Sequence, residues 1–257
     1  MKAAMLYGIE EALRQCGVAD NTLAPIEREA LDTHGYVLIQ DVMDVAWLKQ
    51  LRAAFEAALG RGPQAINGKQ SGTRHVDGLA YEDAGLESVY THPRILVVAY
   101  HVLNRAFRVF QFSGRDPLPG YGQQGLHMDW FQRAPSEPFS IVTALWILDE
   151  FTRDNGPTRL VPGSHLLTRP LSKTMQAPEN HHPDEKVIIA QAGSVLVFNG
   201  HLWHSGTRNR TNLPRRVLQI QFVARESIRT TDPLHNVPER LTPAAQYLLG
   251  FSPARVR

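Results

Sequence analysis

The chain of 257 residues has a single cysteine, Cys16. No intrachain disulfide can form, so a fold stapled by cross-links is excluded and a reducing cytoplasm is the expected compartment. Long apolar runs are missing too. No stretch approaches the roughly 20 uninterrupted apolar residues of a membrane span. The first residues carry Glu10 and Glu11 where a secretory leader needs an apolar run. Charge of one sign is also scarce: 27 Lys and Arg stand against 25 Asp and Glu. A nucleic-acid binder is expected to show a clustered basic stripe. The one basic cluster here, residues 208–216, is interrupted by Asn212, Leu213 and Pro214 and reads as a solvated loop. The expected partner is therefore a small-molecule substrate, not nucleic acid or a membrane.

What is present is an ordinary globular composition, 43% hydrophobic and 20% charged. A chain of this length supports one core, so residues 1–257 are read as one domain. Its first part, to about residue 105, reads as mainly helical. Residues 5–15 are amphipathic. Pro25 opens a second helix that stops before Gly35. Residues 36–39 form a short strand-like run. Asp44 caps a third helix, with Val45, Leu48, Leu51, Phe55 and Leu59 at helical spacing. Pro93 opens a fourth. Between these, residues 61–91 are rich in Gly, Ser, Asn and charge and read as a long loop, either a substrate lid or an ordinary surface connection.

From residue 106 to about 225 the pattern changes to short strands with turn residues between them. The candidates are 107–113, 125–131, 140–148, 158–161, 187–190, 194–199 and 216–224. Such punctuation predicts a mainly β sandwich, jelly roll or barrel, with the helices packed outside it. Residues 226–257 form a proline-rich tail.

The chemistry begins at His127-Met128-Asp129. On a strand, residues two apart share a face, so an imidazole and a carboxylate would stand side by side. A third ligand is expected where residues 193–206 run from a buried strand into His201 and His204. Two imidazoles and one carboxylate make a facial triad with open positions, the pattern of non-haem Fe(II) oxygenases. Zinc sites more often recruit three histidines or cysteines. Eleven residues on stands Arg215, at the start of the last strand, with Arg216 beside it and facing the other way. A guanidinium matches a carboxylate with two parallel hydrogen bonds; spacing does not choose between the two arginines. On the substrate side the candidates are Trp130, Phe131, Arg74 and His75.

HMD (127–129), DNGPTRLVPGSH (154–165), HSGTRNRTNLPRR (204–216) and the entry GYVLIQDVMD (35–44) together resemble the phytanoyl-CoA dioxygenase family. The resemblance runs from about residue 25 to 225. It implies a double-stranded β-helix, or jelly roll, with flanking helices. It implies Fe(II) held by His127, Asp129 and His204, with 2-oxoglutarate and molecular oxygen as co-substrates. It also implies that Arg215, not Arg216, binds the far carboxylate of 2-oxoglutarate. Thr158 and Trp146 match positions that contact or line the co-substrate pocket in some members. Among the other histidines, His165 reads as a turn residue, His181 and His182 as solvated, and His92 and His101 as helical. The expected reaction is hydroxylation of an unactivated C–H bond with release of succinate and CO2. Asp129 argues against halogenation, since related halogenases lack that carboxylate. Two rival readings share parts of this pattern. One is a cupin-like metalloenzyme that does not use 2-oxoglutarate, and the other is a non-catalytic binding module.

Overall fold

The computed structural model describes residues 8–61, 72–81, 84–228 and 240–251. Among these, nine strands form two antiparallel sheets. They are β1 (Tyr36–Ile39), β2 (Thr73–Val76), β3 (Phe107–Pro117), β4 (Ile141–Ile147), β5 (Thr158–Leu160), β6 (Lys186–Val187), β7 (Val195–Asn199), β8 (His204–Gly206) and β9 (Val217–Ala224). The larger sheet runs β1-β7-β4-β9-β3-β2 and the smaller β6-β5-β8. The helices are α1 (Ile9–Gln15), α2 (Pro25–His34), α3 (Val45–Arg61), α4 (Glu87–Tyr90), α5 (Pro93–Leu103), α6 (Leu171–Thr174) and α7 (Pro243–Leu248). This is a jelly roll with flanking helices. None of these helices is long and apolar enough to cross a membrane.

Alternation along the strands decides the layers. In β4, Val142, Ala144 and Trp146 join a cluster that includes Leu51, Phe55, Leu96 and Ala99 of α3 and α5. Leu145 and Ile147 turn the other way and meet Leu160, Leu196 and Phe198 between the sheets. Strands covered on both faces read as continuous apolar runs. β7 divides likewise: Val195 and Val197 face the helices, Leu196 and Phe198 the smaller sheet.

The helices start and stop where their caps put them. The Asp44 carboxylate accepts the Trp47 amide at 2.7 Å. Pro93 sits in the first turn of α5, and Asn104 ends it in the left-handed region with φ 49°. Gly35 closes α2 at φ 82° and donates to the carbonyls of Ala30 and Leu31. A Cβ at Gly35 would also lie 2.5 Å from His165 Nδ1. The PGSH turn therefore rests against the very residue that ends α2. We expect Gly35→Ala to cost about 2–4 kcal/mol, from left-handed backbone strain plus overpacking. Urea unfolding checks this, and a loss below about 1 kcal/mol would contradict it.

Two expectations need correction. Residues 125–131 are not a strand. Only His127 pairs, as an isolated bridge with His204, because the neighbouring amides bond elsewhere: Leu126 to Pro178 and Asp129 to Gly200. The strand read at 36–39 is present as β1 and forms one edge of the larger sheet, whose other edge is β2. Of the long loop read at 61–91, residues 62–71, 82 and 83 lie outside the described residues; the rest holds β2, two short 3-10 turns and α4. Within the tail, Thr242 caps α7 by accepting from Ala245 at 3.2 Å, and residues 229–239 and 252–257 lie outside the described residues.

Candidate active site

A cavity of about 510 Å³ opens between the sheets. His127, Asp129 and His204 lie together in its wall. One possible ligand atom from each falls within 4.8 Å of the others, so the three could hold a metal ion. Their backbones are fastened directly to one another. His127 and His204 exchange both amide hydrogen bonds at 3.0 Å, and Asp129 donates its amide to Gly200 at 2.8 Å. Gly200 permits that approach: a Cβ there would stand 2.5 Å from Ile141 and 3.3 Å from the Asp129 side chain.

The ring protons are placed by the backbone. His127 Nδ1 lies 2.9 Å from the Gly125 carbonyl, and His204 Nδ1 lies 2.8 Å from that of Leu202. A carbonyl only accepts, so each Nδ1 carries a proton and each Nε2 is left to face the cavity. Such outer hydrogen bonds fix tautomer and orientation at metal sites. Thr143 donates its hydroxyl to Asp129 at 2.5 Å. Burial opposes ionisation of Asp129, but His204 and the Thr143 hydroxyl outweigh it and hold the carboxyl well below its usual range. His127 is pushed down to about 4, first by burial and then by His204 beside it. His204 is buried, yet the Asp129 carboxylate 3.5 Å away raises its pKa.

Arg215 is buried in the same cavity wall. Its backbone amide donates to Asp116 at 2.9 Å, and its guanidinium lies 5.1 Å from the Phe151 ring centroid. Among the described residues no carboxylate pairs with that guanidinium, and its Nε has no hydrogen-bond partner. Burial pushes its pKa down to about 10, so it stays charged at neutral pH. Arg216 points away and is fully engaged, with Asp149 at 2.8 and 2.9 Å and with Glu56 at 3.0 Å. Thr158 lines the cavity.

Trp146 does not. It packs at 5.4 Å from Trp47 and 5.6 Å from His92, on the helix side of β4. The residues β4 gives to the cavity are Thr143 and Leu145. Arg74 is also occupied elsewhere, by Asp116 and Glu56, and His75 lies 3.4 Å from Asp77. Of the remaining histidines, His201 accepts the Ser140 amide at 3.2 Å, His101 pairs with Asp32 at 2.8 Å, and His181 with Glu185 at 2.8 Å. None of these joins the triad.

Sequence reasoning missed Thr143, Arg115, Gln219 and Gln221, which all line the cavity. The signal was there in LQIQF (218–222). Alternation usually marks a solvent face, but here the polar side faces the cavity.

The family model for phytanoyl-CoA dioxygenase (PhyH) matches residues 31–217, which include all three triad residues and Arg215. The chain belongs to the phytanoyl-CoA dioxygenase family. Among its relatives is dioxygenase trt7 of Aspergillus terreus, 32% identical over 193 residues, covering 70% of this chain and 65% of trt7. The match therefore spans just under two thirds of that relative. Dioxygenase af480 of Aspergillus fumigatus is 29% identical over 254 residues, covering 91% of this chain and 80% of af480. Solved structures of similar fold include the 2-oxoglutarate-dependent carbocyclase SnoK of nogalamycin biosynthesis (TM-score 0.68, 20% identity, covering 86% of this chain and 96% of SnoK). HygX from Streptomyces hygroscopicus, with nickel, 2-oxoglutarate and hygromycin B bound, is another (TM-score 0.65, 18% identity, covering 79% of this chain and 88% of HygX). The jelly roll thus carries a phytanoyl-CoA dioxygenase family member with its polar cavity between the sheets.

Proposed function

We propose that this chain, as one catalytic unit, is an Fe(II)- and 2-oxoglutarate-dependent oxygenase that hydroxylates an unactivated C–H bond of a small molecule. His127, Asp129 and His204 hold iron. Arg215 receives the far carboxylate of 2-oxoglutarate, and Thr158 stands beside it. The observation that carries this reading is the buried, unpaired Arg215 guanidinium in the same cavity as the triad. A buried cation without a counter-ion is costly, and a bound dicarboxylate supplies one. The donor set fits ferrous iron: two imidazoles held through Nδ1 and one carboxylate, close together in one cavity wall. HygX and SnoN bind 2-oxoglutarate together with nickel or iron in this fold, which supports the choice of cofactors.

Bound iron supplies the activation of molecular oxygen, with 2-oxoglutarate leaving as succinate and CO2. The chain's own residues do the rest. The Gly125 and Leu202 carbonyls hold the two imidazoles in one tautomer. Thr143 fixes the orientation of Asp129. Apolar groups such as Leu145, Phe198 and Val217 keep bulk water from that end of the cavity.

The test is anaerobic addition of Fe(II) and 2-oxoglutarate to the metal-free protein. A weak visible metal-to-ligand charge-transfer band is expected. Iron binding without the band would remove 2-oxoglutarate from the mechanism. The outcome is then read by mass: hydroxylation adds one oxygen to the product. A product of unchanged mass would mean epimerisation, the chemistry of SnoN, and one lacking two hydrogens would mean desaturation or ring closure, the latter the chemistry of SnoK.

A further inference from the structure

Phe110 lines the cavity, Trp130 and Phe131 line a second pocket beside Phe110, and part of the cavity's inner wall is made of uncharged amides. β3 slips register between Val109 and Gln111. The extra residue is Phe110, which is 50% exposed and lines the cavity. Bulges re-aim side chains and recur beside active sites. The Trp130 ring meets Phe110 edge-on at 6.0 Å and 83°. Phe131, 80% exposed, meets Trp130 at 5.7 Å and 71°. Edge-to-face contacts leave ring faces open for another flat apolar group.

Behind this rim, register sets Gln111 directly across from Gln221, with Thr143 on the other side of Gln221. Gln219 and Gln221 are each 7% exposed and line the cavity. Neither amide bonds to another side chain or to the backbone among the described residues. Both amides open onto the cavity, where an entering ligand can pair with them, and such a hydrogen bond is worth about 0.5–1.5 kcal/mol net. Gln221 lies six residues beyond Arg215, about 20 Å of backbone along a strand. Thr143, its cross-strand neighbour, holds Asp129, so Gln221 stands at the metal end.

The cations of the wall and rim already have partners: Arg115 faces the charges of Asp129 and Asp77. Arg105 pairs with Glu226 and donates to the Phe139 carbonyl at 2.6 Å. Arg133 donates to the carbonyls of Ala134, Pro135 and Glu137 and stacks on Phe139 at 4.6 Å. A coenzyme A ester would bring several phosphate charges to a rim where Arg105 already has a carboxylate and Arg133 is held by three carbonyls and the Phe139 ring.

Resting on the oxygenase reading above, we propose that the substrate is an uncharged, ring-built molecule bearing hydroxyl or carbonyl oxygens. Its apolar face lies on Phe110 and Trp130, and Gln221 reads its oxygens, the Gln111 amide being turned to Asp77 and Ser113. It is not an acyl thioester of coenzyme A.

Equilibrium dialysis tests this on protein loaded with Ni(II) and 2-oxoglutarate. The probes are hydrocortisone, quercetin and 1,8-dihydroxyanthraquinone, against palmitoyl-CoA. At least one ring probe should bind at least about tenfold more tightly than palmitoyl-CoA. Phe110→Ala and Trp130→Ala should each weaken it about tenfold, and Gln221→Leu about fivefold. Tighter binding of palmitoyl-CoA, no ring probe bound up to its solubility limit, or binding indifferent to Phe110 and Trp130 would each overturn the proposal. The charge-transfer band of the wild type with Fe(II) keeps the two readings apart. A band without probe binding sinks the substrate class alone, and probe binding without a band sinks the oxygenase.

Discussion

Arg215→Met raises the 2-oxoglutarate concentration for half-saturation by about 10²–10³-fold. Truncating one partner of a buried, hydrogen-bonded charge pair costs about 2–5 kcal/mol, and each 1.4 kcal/mol is tenfold. Methionine keeps most of the volume and removes only the charge and its hydrogen bonds. Lysine restores the charge without the two parallel donors, so Arg215→Lys should recover part of the affinity. Arg216→Met is the matched control. It takes one partner each from Asp149 and Glu56, which keep Arg52 and Arg74, so it lowers stability by about 1–2 kcal/mol, within the usual range for a single substitution. Titration of the anaerobic charge-transfer band measures the first effect and urea unfolding the second. Wild-type 2-oxoglutarate affinity in Arg215→Met would end the assignment.

Asp129→Ala or His204→Ala lowers succinate-coupled turnover by at least about 10³-fold and releases iron on dialysis. Either change leaves two of the three ligands, and in Asp129→Ala the buried imidazoles also lose their negative partner. Thr143→Val should be milder, about 10–100-fold in metal affinity, because it removes only the hydroxyl that orients Asp129. Iron content after dialysis, set beside turnover, separates loss of metal from loss of chemistry. Full iron retention in both triad variants would place the metal elsewhere.

The sequence made the strand periodicity, the caps and the His127–Asp129 pair readable because each depends on neighbours a few residues away, whereas His204, far along the chain, needed the family likeness to set it apart from His201. The errors came where partners are distant. β4 is buried along its whole length, so burial could not say which face Trp146 takes; α3 and α5 on one side decide it. The choice between Arg215 and Arg216 needed a family likeness, because Asp149 and Glu56, which occupy Arg216, stand 67 and 160 residues away. β2 was hidden by its surroundings: four residues in a stretch of Gly and polar residues, paired with the far end of β3. Gln111 and Gln221 became a pair only once the register of β3 on β9 was known.

Arg215 leads directly into β9, which lies between β4 and β3 in the middle of the larger sheet, and on the proposed reading this stretch works as a ruler. One face of it carries Arg215 at the co-substrate end, then Val217, Gln219 and Gln221 toward the metal. Hydrogen bonds on both flanks set the spacing of these marks, and no change of side chain can stretch it. The Phe110 bulge and the irregular segment from Gly125 to Phe139 are held to no continuous ladder. A new substrate size is therefore more easily accommodated there, at the rim, with the co-substrate half of the ruler left as it is.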